Sequence, residues 1–156
     1  MTEELFEDIP VREKSRSYGR TITEGEFALL TDVTWTISEL HSNAVYGKVH
    51  TSFGERALGG PIVSALVASL ATNASPLTRR LSEEYGLRTV AAIGISARYL
   101  SPVLPGDTLW ADTWLESIRP SKSRPGFGVA TMRDDGINQN EALVTQVTRL
   151  LLVERG

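Results

Sequence analysis

The chain of 156 residues has no cysteine. That excludes disulfides, thiolate nucleophiles and Cys-ligated zinc as sources of stability or chemistry. It also has no excess of basic residues. A formal net charge of -3 gives no support to nucleic-acid binding, which needs a cationic face. No apolar run reaches the length of a membrane span. The segment Met1–Glu13 is acidic and polar, without the basic start and apolar stretch of a signal peptide, so the expected location is cytoplasmic. There is no internal repeat and no low-complexity tract. Nothing in the composition calls for a metal or a cofactor, and none is expected.

What remains has the make-up of an ordinary globular domain, and 156 residues can bury a core without covalent help. Residues 1–14 read as a loosely ordered N-terminal arm and residues 15–156 as one domain. A short strand is expected between Lys14 and Ile22. Thr23-Glu24-Gly25-Glu26 has the form of a capping box and opens a short helix to Asp32. From Val33 to Leu58 the periodicity fails, and aromatic and polar residues mix in what reads as a long functional loop. Gly59-Gly60-Pro61 follows, with Pro61 suited to the first helical position. The run behind it, Ile62 to Ala71, is small or apolar on every side and carries no charge. Such a helix belongs inside a fold, surrounded by other elements. Pro76–Tyr85 reads as a surface helix ended by Gly86.

The remainder is β: Ala91–Leu100, Thr108–Ile118, Gly126–Arg133 and Ala142–Val153, the last two joined through Asp134-Asp135-Gly136 as a turn. Trp110 and Trp114, on one face of their strand, are expected in the core or at a subunit interface. Consecutive strands with short connections pair antiparallel. An antiparallel sheet wrapped around the long apolar helix is the simplest way to bury it. The expected class is therefore α+β, a single domain of hot-dog layout.

Three segments resemble the MaoC-like dehydratases and (R)-specific enoyl-CoA hydratases. They are Arg20-Thr21-Ile22-Thr23-Glu24, the stretch Thr51-Ser52-Phe53-Gly54-Glu55-Arg56-Ala57-Leu58-Gly59-Gly60, and Arg98-Tyr99-Leu100-Ser101-Pro102-Val103-Leu104-Pro105-Gly106-Asp107-Thr108-Leu109. The last is similar to the family's R-F-x-x-P-V-x-P-G-D-T-L. The resemblance implies a hot-dog fold, an acyl-CoA or acyl-carrier thioester as substrate, and assembly into a homodimer or higher homo-oligomer. It also implies an Asp–His dyad within G-D-x-N-P-x-H. Aligned on His41, that motif puts Thr36 at the aspartate, Ser38 at the asparagine and Glu39 at the proline. Asp32 is a second candidate for the acid, with an insertion before His41, and Glu39 is another. Gly59 stands where the family has a histidine.

Hydration of an enoyl thioester needs an acid–base group and dipoles for the enolate oxygen. His41 is the candidate for the first, with Thr36 or Ser38 orienting it or a water. The Gly60 amide, at the head of the apolar helix, is the candidate for the second, flanked by Gly59 and Pro61. Trp35 and Phe53 are candidate substrate contacts, and Arg119, Lys122 and Arg124 form a basic cluster suited to the phosphates of CoA. The expected activity is a hydro-lyase. A thioesterase using Glu39 or Asp32, and a non-catalytic acyl-thioester-binding subunit, are the alternatives.

Overall fold

The computed structural model describes residues 4–156. A short 3-10 turn (Glu4–Phe6) leads to two two-residue strands, β1 (Ser15–Arg16) and β2 (Arg20–Thr21), both paired antiparallel to β4. Helix α1 (Glu24–Val33) starts with the expected capping box: Thr23 Oγ1 accepts from the Glu26 N–H, and the Glu26 carboxylate accepts from the Thr23 N–H. Next come α2 (Glu39–Ser42), α3 (Ala44–His50), α4 (Gly60–Asn73) and α5 (Pro76–Glu83). The long strands β3 (Leu87–Tyr99), β4 (Thr108–Pro120), β5 (Phe127–Asn138) and β6 (Leu143–Arg155) follow. The sheet runs β1-β4-β5-β6-β3, antiparallel throughout, with β2 also on β4. This is the α+β hot-dog arrangement, with α4 laid on the inner face of a curved sheet.

Several sequence expectations need correction. The segment read as one long loop contains α2 and α3, helices too short to show a period; Asn43 caps α3 by accepting from the Tyr46 N–H. Asp134-Asp135-Gly136 is not a turn but part of β5, and the reversal falls at Gln139–Ala142, where Glu141 has φ 56°. Asp134 faces the core and finds a cation there, while Gly136 makes room for α4: a Cβ on it would lie 2.6 Å from Val67 Cγ2. Trp110 and Trp114 sit half-buried on the outer face of β4, one against Gly19 and the other under the Lys14 ammonium. The N-terminal arm is anchored, with Phe6 and Ile9 buried and Asp8 paired to Arg155.

Two apolar clusters fill the inner face. One gathers Phe27, Ile62, Val63, Val67, Leu109, Ala111 and Val147; the other gathers Phe6, Leu77, Leu81, Leu115, Met132 and Leu151. Between them lies a polar seam. The Asp134 carboxylate, fully buried, accepts from Arg149 Nε at 2.6 Å, Arg149 Nη2 at 2.9 Å and Thr113 Oγ1 at 2.6 Å. Arg149 Nη1 donates to Thr72 of α4 at 2.7 Å. Helix α4 is not surrounded as the sequence suggested. Ile62, Val63, Val67 and Ala71 are buried, whereas Ala65, Ser69, Thr72 and Asn73 form an open flank. Small side chains make that exposure cheap, since little apolar area is left in water.

The segment most similar to the known motif serves the fold. Asp107, buried, accepts from the Leu104 N–H and from Gln139 Nε2, and Gly106 supplies the turn at φ 87°. Its neighbour Val103 accepts from the Leu58 N–H, which ties the entry of α4 to the β3–β4 loop.

Two glycines with opposite surroundings give a check. Gly136→Ala overpacks the helix–sheet contact and is expected to lower stability by about 1–3 kcal/mol. Gly25→Ala, on the open side of α1 with nothing within 4 Å, is expected to raise it by roughly 0.5–1 kcal/mol. Urea unfolding of both variants reads the two signs.

Candidate active site

Helix α1 ends in a Schellman motif that aims the chain toward α4. The Trp35 N–H donates to Asp32 O and the Thr36 N–H to Thr31 O. Position C′ of this motif usually holds glycine; here it is Trp35 at φ 56°, with a side chain 85% exposed. A bulky residue in the left-handed region carries strain of about 1–2 kcal/mol. Thr36 then turns inward. Its hydroxyl meets that of Thr34 at 2.8 Å, and Thr34 in turn donates to Leu30 O, so the Thr36 hydroxyl keeps acceptor capacity for another group.

Helix α2 carries His41, which is half-buried. Its Nδ1 lies 2.6 Å from the carbonyl oxygen of Ala57. A carbonyl can only accept, so in the neutral ring the proton sits on Nδ1 and Nε2 keeps its lone pair. The Ala57 N–H donates back to Leu40 O at 3.2 Å, which clamps α2 to the entry of α4 from both sides. Backbone thus does the orienting that a carboxylate does in a dyad. Asp32 and Glu39 are both exposed, and neither bonds to His41. Ser38 is the exposed N-cap residue of α2, and its side chain makes no capping bond.

The head of α4 completes the site. Among the described residues neither the Gly59 nor the Gly60 N–H is hydrogen-bonded within the chain, whereas the Ile62 and Val63 N–H groups donate to Gly59 O. Pro61 offers no donor and is exposed. Both glycines are required by close neighbours. A Cβ on Gly59 would meet Thr36 Cγ2 at 2.9 Å, and one on Gly60 would meet the Tyr99 ring at 2.8 Å. The space above Gly60 is therefore taken by Tyr99 rather than left for a ligand. Two free amides remain at the positive end of the helix, where an anion is favoured.

Thr36, His41, Gly59 and Gly60 are thus gathered around one helix end, with Ala57, Tyr99 and Ser64 as members not anticipated from sequence. The Tyr99 hydroxyl lies 3.5 Å from Ser64 Oγ, which donates to Pro61 O. Tyr99 could have been found only by knowing the register of β3 against α4, and the Ala57 carbonyl has no side-chain signature at all. Phe53 is half-buried in the turn before α4. Arg56 fixes that turn, bonding the Glu24 and Glu55 carboxylates and lying over the Phe27 ring. Glu55 is held below the usual carboxylate range, first by the Arg56 N–H and then by its guanidinium. Arg119, Lys122 and Arg124 flank the exposed β4–β5 loop, at the opposite end of the sheet from Tyr99 and Gly60. A single chain does not bring them to the site. No helix among the described residues is long and apolar enough to cross a membrane.

No protein-family model matches the sequence, and no curated protein matches it. Solved structures do. The chain is similar to a MaoC-like dehydratase from Rhodospirillum rubrum, with 22% identity, 96% of each chain covered and a TM-score of 0.78. It is similar to the (R)-hydratase from A. caviae involved in PHA biosynthesis, at 21% identity, with 96% of this chain and 99% of that one covered and a TM-score of 0.67. A (3R)-hydroxyacyl-ACP dehydratase complex from Mycobacterium tuberculosis matches at 16% identity, 90% and 94% coverage and a TM-score of 0.62. These likenesses establish the hot-dog fold over nearly the whole chain.

Two measurements check the local geometry. At a pH where His41 is neutral, 15N-resolved NMR of the ring is expected to show the Nδ1–H tautomer. Trp35→Gly is expected to raise stability by about 1 kcal/mol in urea unfolding, because glycine adopts the left-handed conformation without strain.

Proposed function

We propose that the protein is a hydro-lyase acting on a 2-enoyl or 3-hydroxyacyl thioester, with acyl-CoA as the carrier form. The observation that carries this reading is that His41 is held through Nδ1 on the Ala57 carbonyl, two residues before Gly59, where the free amides at the head of α4 begin. The thioester carbonyl accepts from the Gly59 and Gly60 N–H groups, and these dipoles hold the negative charge that grows on oxygen as water adds to the β-carbon. His41 takes the proton from that water, and the ring or a water it holds returns a proton to the α-carbon. Thr36 accepts a hydrogen bond from the attacking water. Trp35, Phe53 and Pro61 flank the entrance, and Ser38 lies beside it. The names of the structural neighbours, hydratases and dehydratases, support the same chemistry.

The site is expected to work in a homodimer. β3 is an edge strand with one side unpaired, and Val90 and Ile93 are exposed along it. A strand edge with apolar side chains is a surface a second chain covers. In that assembly the Arg119, Lys122 and Arg124 loop can serve the partner's site in holding CoA phosphates.

A second reading is supported by one observation: among the described residues no carboxylate joins His41. On that reading the chain binds an acyl thioester as a subunit without turnover of its own. Purified protein incubated with crotonyl-CoA and a longer 2-enoyl-CoA separates the cases, following enoyl absorbance and free thiol together. Loss of absorbance without thiol, reduced about 10²–10⁴-fold in His41→Ala, is the expected result. Thiol release would make the protein a thioesterase. Binding without turnover would support the subunit.

A further inference from the structure

A hot-dog core does not need an ion pair at its centre. Buried pairs such as Asp134–Arg149 add little net stability over apolar side chains of similar size, although removing one partner alone is strongly destabilising. This pair lies at the seam between the two apolar clusters, and there the seam opens outward. A cleft of about 640 Å³ between α4 and β3 is lined by Ala68, Thr72, Ala92, Ile95, Leu151 and Arg149, among others. Arg149 is only 8% exposed, and its three hydrogen bonds to Asp134 and Thr72 leave two of its five N–H donors unused among the described residues.

The cleft is in line with the candidate site. Tyr99, Ala97 and Ile95 are alternate residues on the inner side of β3, paired with Thr145, Val147 and Arg149 of β6. Tyr99 covers Gly60, Ala97 is small, and Ile95 is 61% exposed although it faces inward, because α4 does not reach across to it. Four residues of strand separate the two ends, about 13 Å. The helix gives the same span: Ser64, at Tyr99, and Thr72, at Arg149, are eight residues apart, about 12 Å. Neither this cleft nor a second recess of about 330 Å³ on the α1 side of α4 is lined by Thr36, His41, Gly59 or Gly60, and the two share only Ser69 and Asn73; the strand and helix spacings above are what put the cleft on the Tyr99 side of α4.

We infer that this cleft takes the distal part of the acyl chain and that Arg149 selects chains carrying an oxygen acceptor there, such as a hydroxyl, keto or carboxylate group. The inference rests on the acyl-thioester reading above. An apolar chain of this length places methylenes against the guanidinium and deprives its unused N–H groups of water. A polar-ended chain replaces that water with a charge-assisted hydrogen bond. Asp134 holds the guanidinium in place and offsets its charge, so the selection is for an acceptor and not for net negative charge.

The test uses wild-type protein and pairs of 2-enoyl-CoA substrates matched in length, one ending in methyl and the other in hydroxyl or carboxylate. Binding is read by competition against a reference acyl-CoA, and turnover by enoyl absorbance. At medium length the polar-ended member is expected to bind about ten-fold more tightly or better, and at short length the pair is expected to be equal. The paired variant Asp134→Leu/Arg149→Met is expected to reverse the preference; if it does not fold, the wild-type comparison still decides. Equal or tighter binding of the methyl-ended member at every length overturns the inference, while turnover of both leaves the hydro-lyase reading intact. Failure of every acyl-CoA to bind overturns both.

Discussion

Everything in this molecule follows from an uncharged helix that must leave water against a sheet that cannot close around it. Helix α4 has only small and apolar residues after Pro61, and one side of it is driven onto β4, β5 and β6. Contact at that distance requires Gly136 on β5 and excludes larger residues from the same row. The helix is thereby held so that its first turn emerges at the end of the sheet, where the β3–β4 loop and the end of α1 converge. The candidate site is there because the free amides of a helix have to end somewhere, and among the described residues no side chain caps them.

The site is built more from backbone than from side chains. His41 is oriented by a carbonyl, two amides stand free at the head of α4, and the turn preceding α4 is fixed by Arg56 bridging two carboxylates. A carbonyl orients an imidazole as well as a carboxylate does, but it brings no negative charge to stabilise imidazolium. The candidate site thus differs from an Asp–His dyad in the charge beside the ring more than in how the ring is held.

Much of the fold was legible in the sequence because local chemistry and long-range packing agree there. The Thr23/Glu26 capping box, Pro61 at a helix start and Gly86 and Gly106 at positive φ are demands that one or two residues meet alone. Asp134-Asp135-Gly136 misleads for the opposite reason. Its composition favours a turn, but its partners, Arg149 and Val67, are distant in sequence and outweigh that preference. Helices α2 and α3 were invisible because one or two turns carry no period. At the site His41, Thr36 and the two glycines could be picked out, since each is a residue type the chemistry needs. Tyr99 and the Ala57 carbonyl could not, because register and backbone direction are not written in residue types.

One property of β3 has a further effect on assembly. The strand is out of step with β6 twice, between Thr89 and Ala91 and between Ala92 and Gly94. Each bulge twists the strand and spoils the even spacing of amides and carbonyls along its free side. A visiting strand can therefore find a regular ladder only over the stretch toward Tyr99, and a flat stack of many chains has no continuous template. The edge, although unpaired within the chain, is thus a poor seed for fibrils.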